Sequence, residues 1–120
     1  MIEDEELIRE SVVHLLKTRG FEVVAAADGY TGVQLTFTLV PNLILCDMRM
    51  PGLNGSQVLA AVRNNPMTAT IPFIFLTAQT SIADLEQEQN IAADGYLTKP
   101  FTTTALLEAI SKYLRKDTET

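Results

Sequence analysis

The chain has 120 residues, the size of one domain with a single core, and its 47% hydrophobic and 20% charged residues are typical of globular proteins. Its net charge of −6 argues against direct nucleic-acid binding, which needs clustered Lys and Arg. No apolar stretch approaches the roughly 20 residues that span a bilayer, and the single Cys46 lies in a predicted core strand, which favours an inert thiol and a cytoplasmic protein.

Helical and strand patterns alternate along the chain. The 3.6-residue spacing of apolar residues and the position of capping residues predict helices over residues 5–19, 30–39, 56–64, 81–91 and 103–115. Short apolar runs between turn residues predict strands over residues 21–25, 43–46, 71–76 and 95–98. The helix over 81–91 is polar and only weakly amphipathic. Strands joined by crossover helices imply an α/β fold with a parallel sheet covered on both faces.

Polar side chains follow the predicted strands at the point where each strand ends. Asp47 follows a buried apolar run, Thr77 follows the next strand, and Lys99 follows the last one. Glu3 and Asp4 follow the two apolar residues that open the chain. Because the carboxyl ends of parallel strands share one edge of the sheet, where ligands bind, these groups are expected to converge.

Such a group of side chains suits phosphoryl chemistry. Three carboxylates close together repel one another and raise their pKa values unless a cation is present, and oxygen ligands favour Mg²⁺. Lys99 would add a positive charge and Thr77 a hydroxyl donor for a phosphoryl group. The remaining carboxylate can act as a nucleophile and form an aspartyl-phosphate.

Each residue also has a simpler interpretation. Glu3 and Asp4 can stand before a helix as charges favoured by its dipole. Asp47 can be a turn residue before a Pro-Gly loop, Thr77 a strand-end cap and Lys99 a solvated surface side chain. What favours chemistry is their joint placement at successive strand ends.

The sequence resembles the receiver domain of two-component response regulators over essentially its whole length. The matching segments share the family's order and spacing: Glu3-Asp4-Glu5, LILCDMRMPGLNG over residues 43–55, Phe75-Leu76-Thr77-Ala78, and residues 95–101. The resemblance implies a flavodoxin-like, doubly wound fold whose five strands have the order 2-1-3-4-5. Residues 1–116 would form the receiver domain and 117–120 a tail or the start of a linker.

The resemblance also implies a role for each matching residue. Asp47 would be the phosphoacceptor, with Thr77 and Lys99 contacting the phosphoryl group. Mg²⁺ would be held by Asp47, by Asp4 directly, by Glu3 through water, and by the backbone carbonyl of Arg49.

Further roles follow from the same resemblance. Tyr96 would be an aromatic switch that moves with Thr77, and Pro100 would follow a cis peptide bond. Arg49 and Gln79, each two residues beyond a site residue, are expected to flank the acyl phosphate and influence its lifetime. The face made by the helix over 81–91, the last strand and the last helix is expected to change most on phosphorylation.

The sequence departs from the family pattern at its first strand, of which only Met1-Ile2 stand before the acidic pair. Loss of a central strand leaves a slot lined by backbone groups that need partners. Three explanations are open: the natural chain has further residues before Met1, another segment or chain fills the slot, or the sheet rearranges. The intact remainder of the domain favours the first.

The leading functional hypothesis is a signalling switch that takes a phosphoryl group from a histidine kinase or phosphotransfer protein and acts on a downstream effector. It would catalyse only its own phosphorylation and dephosphorylation. The alternative of the same fold is a phosphorylation-independent interaction module. An aspartyl-phosphate enzyme is disfavoured, because Arg49 stands where such enzymes generally carry a second aspartate. A homodimer through the last helix stays open.

Overall fold

A computed structural model of the protein describes residues 1–78 and 93–118, with side chains described as far as residue 114. The predicted helix over 81–91 and Gln79 lie outside the described residues. Within the described part, no helix is long and apolar enough to cross a membrane.

The described helices begin and end close to the predicted positions. They are α1 (Glu6–Thr18), α2 (Gly29–Leu39), α3 (Gly55–Arg63) and α4 (Thr103–Thr118). Asp28 caps α2 by accepting from the Thr31 backbone N–H at 2.8 Å, and Asn54 caps α3 in a capping box with Gln57. Helix α4 continues to Thr118, two residues into the segment expected to be a tail.

Three strands form the regular part of the sheet. They are β1 (Ile44–Asp47), β2 (Phe73–Thr77) and β3 (Gly95–Thr98), all parallel and in the order β1-β2-β3. Asp47 lies opposite Leu76, and Thr77 lies opposite Thr98. Strand β2 is buried along its whole length because it lies between two other strands and under helices.

The prediction of a strand over residues 21–25 is wrong, because these residues do not form a regular strand. Only Ala26 forms a bridge, parallel to Ile2, and Ile2 bridges Cys46 on its other side. Among the described residues, the segment before Ala26 has no continuous neighbour with which to form a ladder, which is the physical reason it is irregular. The order Ala26, Ile2, β1, β2, β3 is nevertheless that of the predicted 2-1-3-4-5 sheet, so the sheet has not rearranged.

The core has two parts, one on each face of the sheet. Ile2 and the buried residues of α3 pack on one face with Phe73 and Phe75. On the other face, Val12 and Leu16 of α1 pack with Leu106 and Ile110 of α4 over alternate residues of β1 and β2. This sandwich fixes the strand ends, and therefore the side chains that follow them.

Candidate functional site

Three of the predicted residues lie at the carboxyl edge of the sheet. Asp47 is the last residue of β1, Thr77 is the last residue of β2, and Lys99 follows β3 directly. The Lys99 backbone N–H donates to the Thr77 carbonyl at 2.7 Å, which keeps the two strand ends together. The Lys99–Pro100 peptide bond is cis, as predicted.

Glu3 is brought to the same edge by the short Met1-Ile2 segment. Its backbone N–H donates to the Ala26 carbonyl at 3.0 Å, and the Asp47 N–H donates to the Ile2 carbonyl at 2.8 Å. The Arg9 guanidinium of α1 donates a hydrogen bond to the Glu3 carbonyl oxygen at 2.9 Å. The Glu3 side chain is fully buried, whereas Asp4 lies nearer to solvent.

Lys99 is the cation at the centre of this cluster. Its Nζ lies 2.7 Å from Glu3 Oε1, 3.3 Å from Asp47 Oδ1 and 3.6 Å from Glu5 Oε1. The sequence predicts the approach of Lys99 to Asp47 but assigns no role at the site to Glu5, although Glu5 belongs to the matching segment Glu3-Asp4-Glu5. The signal available was that Glu5 directly follows the acidic pair.

The surroundings of Asp47 disfavour the ionised form of its carboxyl group. Burial raises its pKa first, the nearby Glu3 carboxylate raises it further, and Lys99 offsets only part of this, so that the pKa rises from 3.8 to about 7. Near neutral pH, Asp47 is therefore poised between its protonated and ionised forms in the absence of a cation. An additional positive charge at this position would lower the pKa and favour the carboxylate.

The pKa of Lys99 is also raised, but by a different balance of causes. Burial alone lowers its pKa, but the hydrogen bond to Glu3 and the charge of Asp47 outweigh this effect, and the net pKa is raised. The ammonium therefore stays charged over the whole range in which Asp47 titrates. It can pair with an anion that arrives at the cluster.

The oxygen atoms of the cluster fit a divalent cation. One carboxylate oxygen from each of Glu3, Asp4 and Asp47 lies within 4.8 Å of the others. Glu3 Oε1 is buried, and the Lys99 ammonium 2.7 Å away is the cation that offsets its charge. The cluster holds three carboxylates against this one ammonium, which leaves negative charge for a further cation to offset. An all-oxygen set of this kind suits Mg²⁺.

The loop after β1 shapes the opening of the site. Met48 and Met50 are buried, and Arg49 between them is exposed, which leaves its backbone near Asp47 and its side chain toward solvent. The Gly55 N–H donates to the Met48 carbonyl at 2.9 Å. A Cβ at Gly55 would lie 2.5 Å from the Asp47 carbonyl oxygen, so only glycine fits there. The sequence analysis missed this close approach.

Thr77 and Tyr96 lie on the side of the site that faces β3. Thr77 is almost completely buried at 1% exposure. The Tyr96 ring is partly buried and stacks on Phe75, with ring centroids 5.9 Å apart. Tyr96 and Thr77 lie on neighbouring strands, where Tyr96 is opposite Phe75 and Thr77 is opposite Thr98.

Comparison with known proteins agrees with this geometry. The family model described as the response regulator receiver domain matches residues 1–111. Protein PilG of Pseudomonas aeruginosa is 34% identical over 114 residues, which cover 95% of this chain and 84% of PilG. The chain spans about half the length of several other curated relatives that it matches.

Solved structures show the same fold. The chemotaxis protein CheY4 of Vibrio cholerae superposes with a TM-score of 0.86 at 30% identity, covering 93% of each chain. The receiver domain of the sensor histidine kinase PA1611 from P. aeruginosa, solved with a magnesium ion in its active-site cleft, gives a TM-score of 0.82 at 25% identity. It covers 94% of this chain and 93% of its own. The chain therefore belongs to the receiver domains of two-component response regulators.

Proposed function

We propose that this receiver domain accepts a phosphoryl group on Asp47 from a histidine kinase or phosphotransfer protein. The observation that supports this most directly is the convergence of Asp47, Glu3 and Lys99 at one edge of the sheet, with Lys99 Nζ 3.3 Å from Asp47 Oδ1. The Asp47 carboxylate, which we propose as the nucleophile, thus has beside it a cation that can pair with the incoming phosphoryl oxygens.

The transfer requires the ionised form of Asp47. A carboxylate oxygen attacks phosphorus, an O–P bond forms, and the bond between phosphorus and the donor nitrogen breaks. Bound Mg²⁺ would neutralise charge on the phosphoryl oxygens and on the acidic cluster. Asp4, Glu3, Asp47 and the Arg49 backbone carbonyl would hold it.

The remaining site residues would contact the phosphoryl group and report its presence. The Thr77 hydroxyl donates to a phosphoryl oxygen, and Lys99 exchanges part of its pairing with Glu3 for pairing with the phosphoryl group. Movement of Thr77 would be transmitted to Tyr96 and change the surface formed by β3 and α4. Because the phosphoryl group binds this arrangement better, phosphorylation shifts the population toward it.

The test is intact-mass measurement after incubation with acetyl phosphate and Mg²⁺. We expect one adduct of a single phosphoryl group, absent from Asp47→Asn and from samples with EDTA. Asp28→Asn is the matched control, because Asp28 is an exposed helix cap that asparagine can replace. If folded wild-type chain acquires no adduct, the phosphorylation-independent interaction module becomes the better explanation.

The switch and the lifetime of the phosphoryl group need separate measurements. We expect hydrogen exchange with and without a phosphoryl mimic to differ most at β3 and α4, and equal protection there would contradict the proposed output face. Hydrolysis of the acyl phosphate by water would return Asp47 to its carboxylate. Replacing Arg49 and Gln79 in turn and timing dephosphorylation tests whether these side chains control water access.

A further inference from the structure

The segment from Gly29 to Cys46 carries no charge. None of its residues is Asp, Glu, Lys, Arg or His, although 20% of the chain is charged and its net charge is −6. Helix α2 lies wholly within this segment, and among the described helices it alone has no charged residue. The other parts of the chain therefore carry all of its charge, and α2 presents a neutral surface.

The outward side of α2 carries two aromatic rings. Its buried residues, which include Gly29 and Gly32, face the core. On the other side, Tyr30 is 64% exposed and Phe37 40% exposed, and Gln34 between them is exposed as well. Positions i, i+4 and i+7 share one side of a helix, so Tyr30, Gln34 and Phe37 form a row that we call the α2 stripe. The two aromatic residues stand about 10 Å apart along the helix axis.

The amino end of the α2 stripe is held in place by its surroundings. The Asp28 side chain accepts hydrogen bonds from the backbone N–H and the hydroxyl of Thr31, at 2.8 and 3.1 Å, which fixes the first turn of the helix. A Cβ at Gly52 would lie 3.7 Å from Tyr30 Cε2, so one edge of the ring lies beside the loop after β1. An exposed ring that is already positioned costs less entropy to bind.

The composition of the α2 stripe defines the kind of surface that can cover it. Aromatic residues are enriched and charged residues depleted in the cores of protein interfaces. A strongly charged partner would find no opposite charge in residues 29–46 with which to pair, and its own charges would lose hydration on binding. The complementary surface is thus a neutral one that offers aromatic rings and an amide, which a second copy of the stripe provides.

We propose that two copies of this chain associate through the α2 stripe, with the two helices antiparallel about a two-fold axis beside Gln34. Tyr30 then packs on Phe37 of the partner subunit, and the symmetry repeats this contact on the other side of the axis. At the axis, the Gln34 amide oxygen accepts from Gln34 of the partner subunit, and the Gln34 NH2 group donates to it. Glutamine can pair with itself in this way, whereas a charged side chain at the axis would meet a like charge.

The size and charge of the two copies predict how strongly they associate. An interface built on one helix face lies at the small end of the range, below about 1,200 Å² in total, so we expect a reversible dimer with a Kd between about 10 µM and 1 mM. Each copy carries a net charge of −6, so the copies repel one another. Because salt screens this repulsion, association should become stronger as the salt concentration rises.

The experiment is sedimentation equilibrium of the chain without acetyl phosphate, at about 0.05 and 0.5 M NaCl. Phe37→Glu places a charge in the α2 stripe. Leu7→Glu is the matched control, because Leu7 is 80% exposed on α1, on the other side of the sheet. Ser111→Glu, at an exposed position of α4, tests the alternative of a dimer through the last helix. Equal melting temperatures of wild type and variants show that each variant is folded.

We expect the higher salt concentration to lower the wild-type Kd by at least about threefold. Phe37→Glu should raise the Kd at least about tenfold, while Leu7→Glu and Ser111→Glu leave it unchanged. A wild type that stays monomeric at about 1 mM would overturn the proposal. So would a dimer that weakens with salt, or one that Ser111→Glu disrupts and Phe37→Glu does not.

A charge swap at Gln34 tests the symmetry of the interface. Gln34→Glu and Gln34→Lys should each dimerise less than wild type, because each brings two like charges to the axis. An equimolar mixture of the two variants should form a dimer again, since opposite charges then meet. A mixture that stays as monomeric as either variant alone would contradict the placement of Gln34 at the axis. These measurements need no phosphoryl group, so their outcome is independent of the proposed function.

Discussion

Asp47→Asn tests the electrostatic account of the site most directly. Asp47 is buried, and its pKa is raised from 3.8 to about 7, first by burial and then by Glu3. A folded-state pKa above the unfolded value means that the group stabilises the fold fully below about pH 4 and that this contribution is lost as the pH rises through about 7. Asparagine does not titrate and so lacks this loss.

The magnitude follows from the shift. Each pKa unit corresponds to about 1.4 kcal/mol. The rise to about 7 therefore implies that the unfolding free energy of the wild type falls, relative to Asp47→Asn, by about 2–4 kcal/mol between pH 4 and pH 8. The lower part of this range allows for coupling of Asp47 to Glu3 and Lys99.

The assay is urea unfolding of both proteins at several pH values in EDTA. Titration of groups distant from Asp47 is common to both proteins, so the difference between the two unfolding free energies reports Asp47 together with its coupling to the neighbouring charges. Asp28→Asn is the control, because this carboxyl group is exposed and its pKa is lowered, chiefly by the Thr31 backbone hydrogen bond. A difference between wild type and Asp47→Asn that stays constant from pH 4 to pH 8 would refute the reasoning.

Four further outcomes are expected. Mg²⁺ should raise the wild-type melting temperature more at pH 8 than at pH 5, because a cation favours ionised Asp47; equal shifts in a thermal scan would contradict this. Gly55→Ala should lower the unfolding free energy by more than about 2 kcal/mol and reduce acetyl phosphate labelling, since its Cβ would lie 2.5 Å from the Asp47 carbonyl oxygen. Val40→Asn should raise the unfolding free energy by about 0.5–1 kcal/mol in urea titrations, because Val40 ends α2 at a left-handed φ of 45°. Cys46 is fully buried and burial raises its pKa, so alkylation detected by mass should occur only after unfolding.

Local sequence signals predicted most of the elements. Apolar spacing placed α1 within one residue at each end, and the run Gly95–Thr98 was predicted as the strand observed. Turn and cap residues, such as Asp28 before α2, located the helix starts. These features could be predicted because spacing and capping depend on residues within a few positions of one another.

The strand over residues 21–25 could not be predicted correctly in the same way. Its apolar and β-branched residues suit a strand, but a strand also needs a partner along its length, and within the described part of the chain its backbone pairing is limited to Met1, Ile2 and Glu3. A local pattern contains no information on whether a neighbouring strand is long enough.

The sequence by itself determined the fold class and the order of acidic, hydroxyl and ammonium groups at successive strand ends, because parallel strands bring their carboxyl ends to one edge. Only the tertiary structure decided which of these charged groups pair with one another. Glu3 is buried against Lys99 while Asp4 stays nearer to solvent, and Glu5 joins the cluster from the start of the chain's first helix. Distances of 2.7–3.6 Å between residues almost 100 positions apart depend on how the layers pack. The same packing buries Asp47 near Glu3, and burial is the first cause of its raised pKa.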